Sequence, residues 1–223
     1  DMSSCQAQLE AAQEDGIPVV ILDSGVESDD DLVYAYCGTD NKAAGAEAAK
    51  QLCEAIGDEG EVAVMSHIQL SQSSKDRVDG FQEEITKNHP NVRVVSVDYQ
   101  LTKDDDPTAE ESIEAVLEKY PDLKGYYATN QATSEAVLSV LDNYSDRSIK
   151  MIGVDMGDTQ KKAIEDGKEV GSVCQNPYGM GYATIVAGAR AALELESDKN
   201  IDSGFQWIDK NNIDLEAYAR YLY

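Results

Sequence analysis

The side chains best placed to bind a small molecule are the polar residues that directly follow predicted strands. They are Asp23 and Ser24, Ser66 and His67, Asp98 and Tyr99, Asn130, Asp155, and Gln175. A carboxylate accepts hydrogen bonds from two adjacent hydroxyls, and a primary amide both donates and accepts. Five of these positions are carboxylates or amides. This set therefore favours a neutral polyhydroxylated ligand such as a sugar.

The elements that carry these residues alternate along the chain. Short β-branched runs predict strands at residues 17–22, 62–65, 92–97, 125–128, 150–154 and 170–174. Helix-spaced apolar sets occur at Cys5, Leu9 and Ala12, ending at Gly16; at Val78, Phe81 and Ile85; at Ile113, Val116, Leu117 and Tyr120; and at Ala136, Val137, Val140 and Leu141. The alternation predicts an α/β fold with a parallel sheet, in which ligands bind at the carboxyl ends of the strands.

Helix capping is the competing interpretation for two of these residues. Asn130 precedes a predicted helix at 131–142, and Asp155 precedes one at 157–166. Asn and Asp are favoured N-caps because their side-chain oxygens accept from the first free backbone N–H groups. Both interpretations stay open at this point.

The composition excludes several classes of partner. The chain has 18 Lys and Arg against 43 Asp and Glu, a net charge of -25, which repels nucleic acid and anionic membranes. Its apolar runs are far shorter than the roughly 20 residues that span a bilayer. A chain of 223 residues can bury a core without metal staples.

Catalytic, cofactor and metal motifs are not found, so neither an enzyme nor a cofactor is predicted. His67 lies at a strand end without a defined nucleophile, and His89 before Pro90 is expected to be exposed in a turn. The cysteines form no C-x-x-C pair, so they indicate no zinc site and are interpreted as small buried hydrophobes: Cys5, Cys37, Cys53 and Cys174.

Several segments, taken in order, resemble the ribose- and galactose-type periplasmic binding proteins, which share a fold with LacI-type effector domains. They are Gly16-Ile17-Pro18-Val19-Val20-Ile21-Leu22-Asp23, Gly38-Thr39-Asp40-Asn41, Arg77-Val78-Asp79-Gly80-Phe81, Ala128-Thr129-Asn130, Gly153-Val154-Asp155 and Gln175-Asn176-Pro177-Tyr178-Gly179-Met180-Gly181-Tyr182. The resemblance covers essentially the whole chain. It implies Rossmann-like lobes with three α/β/α layers that close on a sugar, and no catalysis.

The resemblance also implies which residues contact the sugar. Asp23, Asn130, Asp155 and Gln175 match sugar-contacting positions of the family. Ribose-type relatives carry arginines at two further site positions, where this chain has Ser24 and Lys75. Because a hydroxyl and a point charge replace planar bidentate donors, the hydroxyl pattern of the ligand stays open. An aromatic stacking partner is not assigned among Phe81, Phe205 and Trp207; Tyr99 is a candidate, with packing against the protein as its alternative.

Family members begin with about two further βα units, so the first lobe is expected to be incomplete. By analogy, residues 1–39 and 176–204 form the remainder of the first lobe, and residues 40–175 and 205–223 form the second. A start at Asp1 suggests a truncated or proteolysed product. We therefore expect weak or no sugar binding by this chain alone. An uncovered sheet edge in the first lobe makes self-association an expectation as well.

The resemblance favours one function over two alternatives. The Gln175 to Tyr182 segment is similar to the transport branch of the family, which implies a sugar carrier that delivers to the membrane permease of an ABC transporter. It also implies an extracytoplasmic location, in the periplasm or as a surface lipoprotein. The alternatives are the effector domain of a LacI-type regulator and the ligand-sensing ectodomain of a signalling receptor.

Overall fold

The computed structural model describes residues 5–26, 31–100 and 106–222 and has an α/β architecture. The strands are β1 Val20–Leu22, β2 Ala35–Gly38, β3 Gly60–Ser66, β4 Val92–Tyr99, β5 Leu123–Ala128, β6 Lys150–Val154, β7 Gly171–Gln175, β8 Asn200–Asp202 and β9 Phe205–Asp209. The helices are α1 Gln6–Glu14, α2 Asn41–Ile56, α3 Gln72–Asn88, α4 Ala109–Lys119, α5 Gln131–Leu141, α6 Asp158–Asp166 and α7 Pro177–Ala192, with 3-10 turns at Asp142–Tyr144 and Glu216–Tyr221. The predicted α/β class is confirmed.

The larger sheet has six strands in the order β4-β3-β5-β6-β7-β9. Its neighbouring pairs are parallel except β7 and β9, which are antiparallel. Successive side chains of a strand point to opposite faces. In β3, Val62 and Val64 therefore pack in one apolar cluster, and Ala63 and Met65 pack in another.

Helices cover both faces of this sheet and complete three layers. One face packs against α2 and α3, whose cluster includes Leu52, Phe81 and Ile85. The other face packs against α4 and α5, whose cluster includes Ile113 and Val137. These two clusters contain most of the buried apolar residues of the described chain. Burying one such side chain stabilises the fold by roughly 1.5–3 kcal/mol.

Two glycines allow α2 and α3 to touch through their backbones. A Cβ at Gly45 would lie 2.1 Å from the carbonyl oxygen of Arg77, and one at Gly80 would lie 2.0 Å from that of Lys42. Any larger residue at either position would separate the helices. The close approach brings the first residue of α2, Asn41, against the side chain of Arg77.

The smaller sheet has three parallel strands in the order β1-β2-β8 and packs on α7. Its apolar cluster contains three buried residues: Ala35, Cys37 and Ala187. The prediction of a buried first strand is wrong, because Leu22 is 49% exposed and Ile17, before the strand, is 58% exposed. Among the described strands, β1 has one neighbour, β2, so it lies at an edge.

The strands of the two sheets follow a simple division of the chain. The smaller sheet takes its strands from residues 20–38 and 200–202, and the larger sheet takes its strands from residues 60–175 and 205–209. The assignment of whole segments to two lobes stays a prediction. The first four residues, Asp1-Met2-Ser3-Ser4, have the sequence of a helix start and lie outside the described residues.

Two sequence-based expectations about burial are wrong. Cys5 precedes α1 and is exposed, whereas Cys37, Cys53 and Cys174 are buried as expected. The His89 side chain is only 16% exposed, because it ends α3 and packs against Glu84 and Asp58. In the part of the chain that the structure describes, no helix combines the length and hydropathy needed to cross a bilayer.

Candidate functional site

Asp23 and Asp155 occupy equivalent turns at the ends of two strands. Asp23 follows β1 and Asp155 follows β6, and both have left-handed backbones, with φ of 67° and 71°. Each backbone N–H still donates across the sheet end, from Asp23 to Cys37 O at 3.0 Å and from Asp155 to Val173 O at 3.1 Å. Asp tolerates this conformation better than most residues, whereas Ala does not. The two turns bring a carboxylate from each sheet to the junction between the sheets.

Gln175 fixes the Asp155 carboxylate and joins the two sheets. Its Nε2 donates to Asp155 Oδ1 at 2.8 Å, and its Oε1 accepts from Thr39 Oγ1 at 3.1 Å. Thr39 directly follows β2 of the smaller sheet and is buried. The three side chains form one chain of hydrogen bonds, so the amide and the carboxylate are oriented before any ligand arrives.

Arg77 supplies a buried positive charge beside these carboxylates. The residue is 5% exposed; its Nε donates to Asn41 Oδ1 and its Nη1 to Thr129 O, both at 2.7 Å. Both partners are uncharged oxygens. The charge therefore acts on Asp23 through space, and the bond to Thr129 positions the start of the Asn130 turn.

The electrostatic environment of Asp23 reflects this arrangement. Although its surface is exposed, the surrounding protein removes part of its hydration, and this desolvation is the main cause that raises its pKa. Arg77 opposes the shift in pKa, whereas the like charge of Asp155 adds to it. The carboxylates of Asp23 and Asp155 repel each other near one guanidinium. Hydroxyl groups that donate hydrogen bonds to them would stabilise both negative charges.

The structure separates the two residues for which capping was the competing interpretation. Asn130 is the N-cap of α5, since its Oδ1 accepts from Thr133 N at 3.1 Å and from Thr133 Oγ1 at 2.7 Å. Asp155 does not cap α6, which starts from Gly157. The capping interpretation is therefore correct for Asn130 and wrong for Asp155. Capping occupies the Asn130 oxygen and leaves its NH₂ group available to a ligand.

Ser24 and Lys75 lie beside this cluster on the side of α3. Ser24 Oγ is 3.3 Å from Ser73 Oγ, so it connects the turn after β1 to the first residues of α3. Lys75 is exposed, and in the described part of the chain its side chain makes no hydrogen bond to the other predicted site residues. The structure thus brings Asp23, Asp155 and Gln175 together and leaves Lys75 at the periphery. Asn130 follows Thr129, whose carbonyl oxygen accepts from Arg77.

The aromatic residues considered for stacking pack against the core. Phe81 stacks on Tyr127, with ring centroids 4.6 Å apart. Tyr99, Phe205 and Trp207 are partly buried against the same cluster. Tyr99 therefore packs against the protein, which was the alternative to stacking on a sugar.

A cavity of about 620 Å³ lies beside the strand-end cluster but is lined mostly by other residues. Its lining includes Thr39 and Asn41, together with Tyr36 and Lys199, but not Asp155, Asn130 or Gln175. Tyr36 donates to Asp23 O at 2.5 Å, and burial raises its pKa to about 12. The candidate site is the cluster of strand-end residues, where the carboxylates of Asp23 and Asp155 and the amide of Gln175 converge from both sheets.

Three residues with positioning roles were not predicted as site residues: Thr39, Asn41 and Arg77. All three belong to the segments that carry the family resemblance. Their roles depend on contacts such as the one between Asn41 and Arg77, which are 36 positions apart. The spacing of residues in one sequence does not reveal such a pair.

Comparison with known proteins identifies the family. Residues 1–195 match the model of the periplasmic binding protein domain, so the chain belongs to that family. The chain is 26% identical to the ribose import binding protein RbsB of Bacillus subtilis, over 81% of this chain and 57% of that protein. It is 28% identical to the D-allose-binding periplasmic protein of Escherichia coli, over 74% and 55%. The chain thus spans little more than half the length of these relatives.

Solved structures show the same fold. An ABC transporter solute binding protein from Agrobacterium vitis with bound D-fucose has a TM-score of 0.90 and 30% identity, covering 100% of this chain and 77% of that one. A second solute binding protein from Agrobacterium vitis, bound to α-D-tagatopyranose, has a TM-score of 0.89 and 25% identity, covering 100% and 77%.

Proposed function

We propose that the protein is the substrate-binding component of a bacterial ABC-type sugar uptake system and binds a monosaccharide or polyol without catalysis. The observation that carries this proposal is the convergence of Asp23 and Asp155 with Gln175 beside the buried Arg77. Similarity to ribose-, allose- and fucose-binding proteins supports the ligand class.

Each group in the site has a role in recognising hydroxyls. Asp23 and Asp155 each accept from adjacent hydroxyls, and Gln175 retains one N–H donor beyond its bond to Asp155. Asn130 donates through its NH₂ group, whereas Ser24 and Lys75 act at the edge and adjust which hydroxyl pattern is accepted. Hydrogen bonds to charged groups contribute about 1.5–3 kcal/mol each, so a few of them suffice for selective binding.

We also propose that the two sheets belong to two lobes that close on the sugar. The Thr39–Gln175 bond and the Ser24–Ser73 contact already cross between the segments assigned to the two lobes. Closure would exclude water and strengthen the polar contacts. Small-angle scattering should then give a smaller radius of gyration with sugar than without it, and an unchanged radius at saturation would argue against closure.

Substitution of Asp155 by Asn tests the ligand site. Asn tolerates the left-handed backbone at this position and removes only the charge. Calorimetric titration of a sugar panel, with the 223-residue chain and with the complete translation product of its gene, should find one preferred sugar. We expect Asp155→Asn to weaken binding by about 10- to 100-fold, the equivalent of one charged hydrogen bond.

Asp158→Asn is the matched control, since Asp158 is exposed in the first turn of α6, three residues away. It should leave the affinity unchanged. Equal effects of the two substitutions, or no binding of any sugar by the complete product, would overturn the proposed function. Binding by the complete product but not by the 223-residue chain would confirm the expected weakness of the chain alone.

Delivery to the membrane permease of an ABC transporter, outside the cytoplasm, completes the proposed role. The transport names of the relatives support it. Deleting the gene in its host should abolish uptake of the preferred labelled sugar at low concentration. Restoration by the wild-type gene but not by the Asp155→Asn variant would support the role, whereas undiminished uptake in the deletion strain would count against it.

Self-association through the edge of the smaller sheet is a further part of the proposal. The edge strand β1 presents Leu22 to solvent, and an unpaired strand edge favours pairing with another chain. Sedimentation velocity should show a concentration-dependent dimer that Leu22→Pro prevents, because Asp23 N–H bonds to β2 and the N–H of the preceding residue, Leu22, therefore faces the open edge. A monomer at all concentrations would contradict this part alone.

A further inference from the structure

A second cluster of reactive side chains lies at the C-terminal ends of α2 and α3. Cys53 is in the last turn of α2, Asp58 follows that helix, and His89 directly follows α3. One ligand atom from each of the three side chains lies within 4.8 Å of the other two. Since 16 helical residues span about 24 Å, the cluster is remote from Asn41 at the start of α2 and hence from the sugar site.

The turn between α2 and β3 brings Asp58 back over the helix end. Gly57 and Asp58 both have left-handed backbones, with φ of 79° and 58°. The Asp58 N–H donates to the carbonyl oxygen of Cys53 at 2.7 Å, which closes the turn. The Asp58 carboxylate is consequently held beside Cys53, although Asp58 itself is far apart from His89 in sequence.

The imidazole of His89 is held between two carboxylates. Its Nδ1 lies 2.5 Å from Asp58 Oδ1, and its Nε2 lies 3.7 Å from Glu84 Oε1. Nε2 is buried and has no hydrogen-bond partner, and Glu84 is only 14% exposed. Burial, followed by the charges of Asp58 and Glu84, raises the pKa of the Cys53 thiol to about 12. The cluster thus concentrates acidic groups around a single imidazole.

We propose that this cluster is a binding site for a divalent transition-metal cation of the zinc type, ligated by Cys53 Sγ, an Asp58 carboxylate oxygen and His89 Nδ1. Thiolate, imidazole and carboxylate are the three ligand types that zinc takes in proteins, with bond lengths of about 2.0–2.3 Å. Ligand atoms at such lengths lie about 3.3–3.8 Å apart in a tetrahedron. Side-chain movements of about 1 Å would reach this spacing, by separating His89 Nδ1 from Asp58 Oδ1 and drawing in any ligand atoms that are now up to 4.8 Å apart.

The surrounding groups fit the needs of such an ion. With Nδ1 on the metal, Nε2–H is directed at Glu84, and a carboxylate that accepts from the second nitrogen is the usual partner of a metal-bound imidazole. Asp58 is exposed, so solvent supplies the fourth ligand. Binding releases the Cys53 thiol proton to solvent, and the cation compensates the negative charges of the thiolate and the carboxylates. The ion would join the ends of α2 and α3.

Titration of the chelator-treated, untagged chain with Co²⁺ tests the site, because a cysteine thiolate on Co²⁺ gives an ultraviolet charge-transfer band. We expect the band to saturate at one Co²⁺ per chain, and excess Zn²⁺ to abolish it. Asp58→Asn keeps a residue suited to the left-handed turn and should weaken Co²⁺ binding by about tenfold or more. Cys53→Ser should remove the band.

Cys174→Ser is the matched control, since Cys174 is also buried but lies in β7. It should keep the band, and circular dichroism should show that all three variants are folded. An absent band in the folded wild-type chain, or a band that Cys53→Ser retains, would overturn the proposal. If Cys53→Ser does not fold, the proposal depends on Asp58→Asn, and Co²⁺ affinity equal to that of the wild type refutes it.

Discussion

The two sheets of this protein differ in how much apolar surface covers them. The larger sheet is enclosed by α2 and α3 on one face and α4 and α5 on the other, and its four central strands, β3, β5, β6 and β7, are almost completely buried. The smaller sheet has an apolar cluster of only three buried residues. The stability of the chain therefore resides mainly in the larger sheet, whereas the proposed site depends on both sheets.

The helix beside the smaller sheet shows the same contrast. In α7, Tyr178, Tyr182 and Ile185 are 71%, 67% and 75% exposed, and their spacing of four and three places them on one face. Corresponding apolar residues of α3, such as Phe81 and Ile85, are buried. We therefore expect the smaller sheet and α7 to open at a lower free energy than the larger sheet.

Core truncation in the two sheets gives the largest predicted difference. Phe81→Ala removes a fully buried ring that stacks on Tyr127 and should lower the free energy of unfolding by about 3–5 kcal/mol. Val20→Ala, in the half-buried β1, should lower it by about 1 kcal/mol or less. Urea unfolding followed by circular dichroism measures both. Equal losses would refute the contrast between the sheets.

A buried carboxyl group makes the larger sheet sensitive to pH. Glu169, before β7, is 2% exposed, and burial is the main cause that raises its pKa to about 8. Gln160 Nε2 donates to its Oε1 at 3.4 Å, and Oε2 has no partner. Between pH 4.5 and about 8, the folded state therefore retains a proton on Glu169 that the unfolded state, with a pKa near 4.5, has lost.

The stability that this proton provides is complete below pH 4.5 and is lost as the pH rises to about 8. The resulting fall in the free energy of unfolding is on the order of a few kcal/mol. Glu169→Gln should flatten this dependence in urea unfolding at a series of pH values, whereas Glu165→Gln on the exposed side of α6 should not. An equally steep dependence in Glu169→Gln would contradict the assignment.

The smallest predicted effect concerns Tyr126 in β5. Its hydroxyl is buried without a hydrogen-bond partner, and burial raises its pKa. Because an unpaired buried hydroxyl costs about 1–3 kcal/mol, Tyr126→Phe should leave stability unchanged or raise it by about 1 kcal/mol. Thermal unfolding provides the measurement. A clear loss of stability would mean that the hydroxyl has a stabilising partner.

The sequence predicts the well-covered part of the fold better than the rest. All six predicted strands are present, together with the helices around Phe81, Ile113 and Val137. Five of the strands lie in the larger sheet, where apolar spacing reflects burial, whereas β1 lies in the smaller sheet. The strands β2, β8 and β9 were not predicted. Both β2 and β8 are short, and β9 lies near the chain end, where no helix pattern follows it.

The candidate site was predictable in its residue types but not in its supporting contacts. The rule that ligands bind at strand ends finds Asp23, Asp155 and Gln175. It does not find the Thr39 bond to Gln175, because that bond joins residues 136 positions apart. It also does not distinguish Asn130, which caps α5, from Asp155, whose side chain accepts from Gln175 instead.

Mapping the sugar onto the backbone amides by nuclear magnetic resonance shows whether the strand ends of both sheets form the binding site. The sugar preferred in the calorimetric panel is titrated into isotope-labelled protein, as the complete translation product. We expect the largest chemical-shift changes at Asp23, Asp155 and Gln175, which lie at strand ends of both sheets. Changes confined to the cavity around Tyr36 and Lys199, with these three amides unaffected, would contradict this expectation.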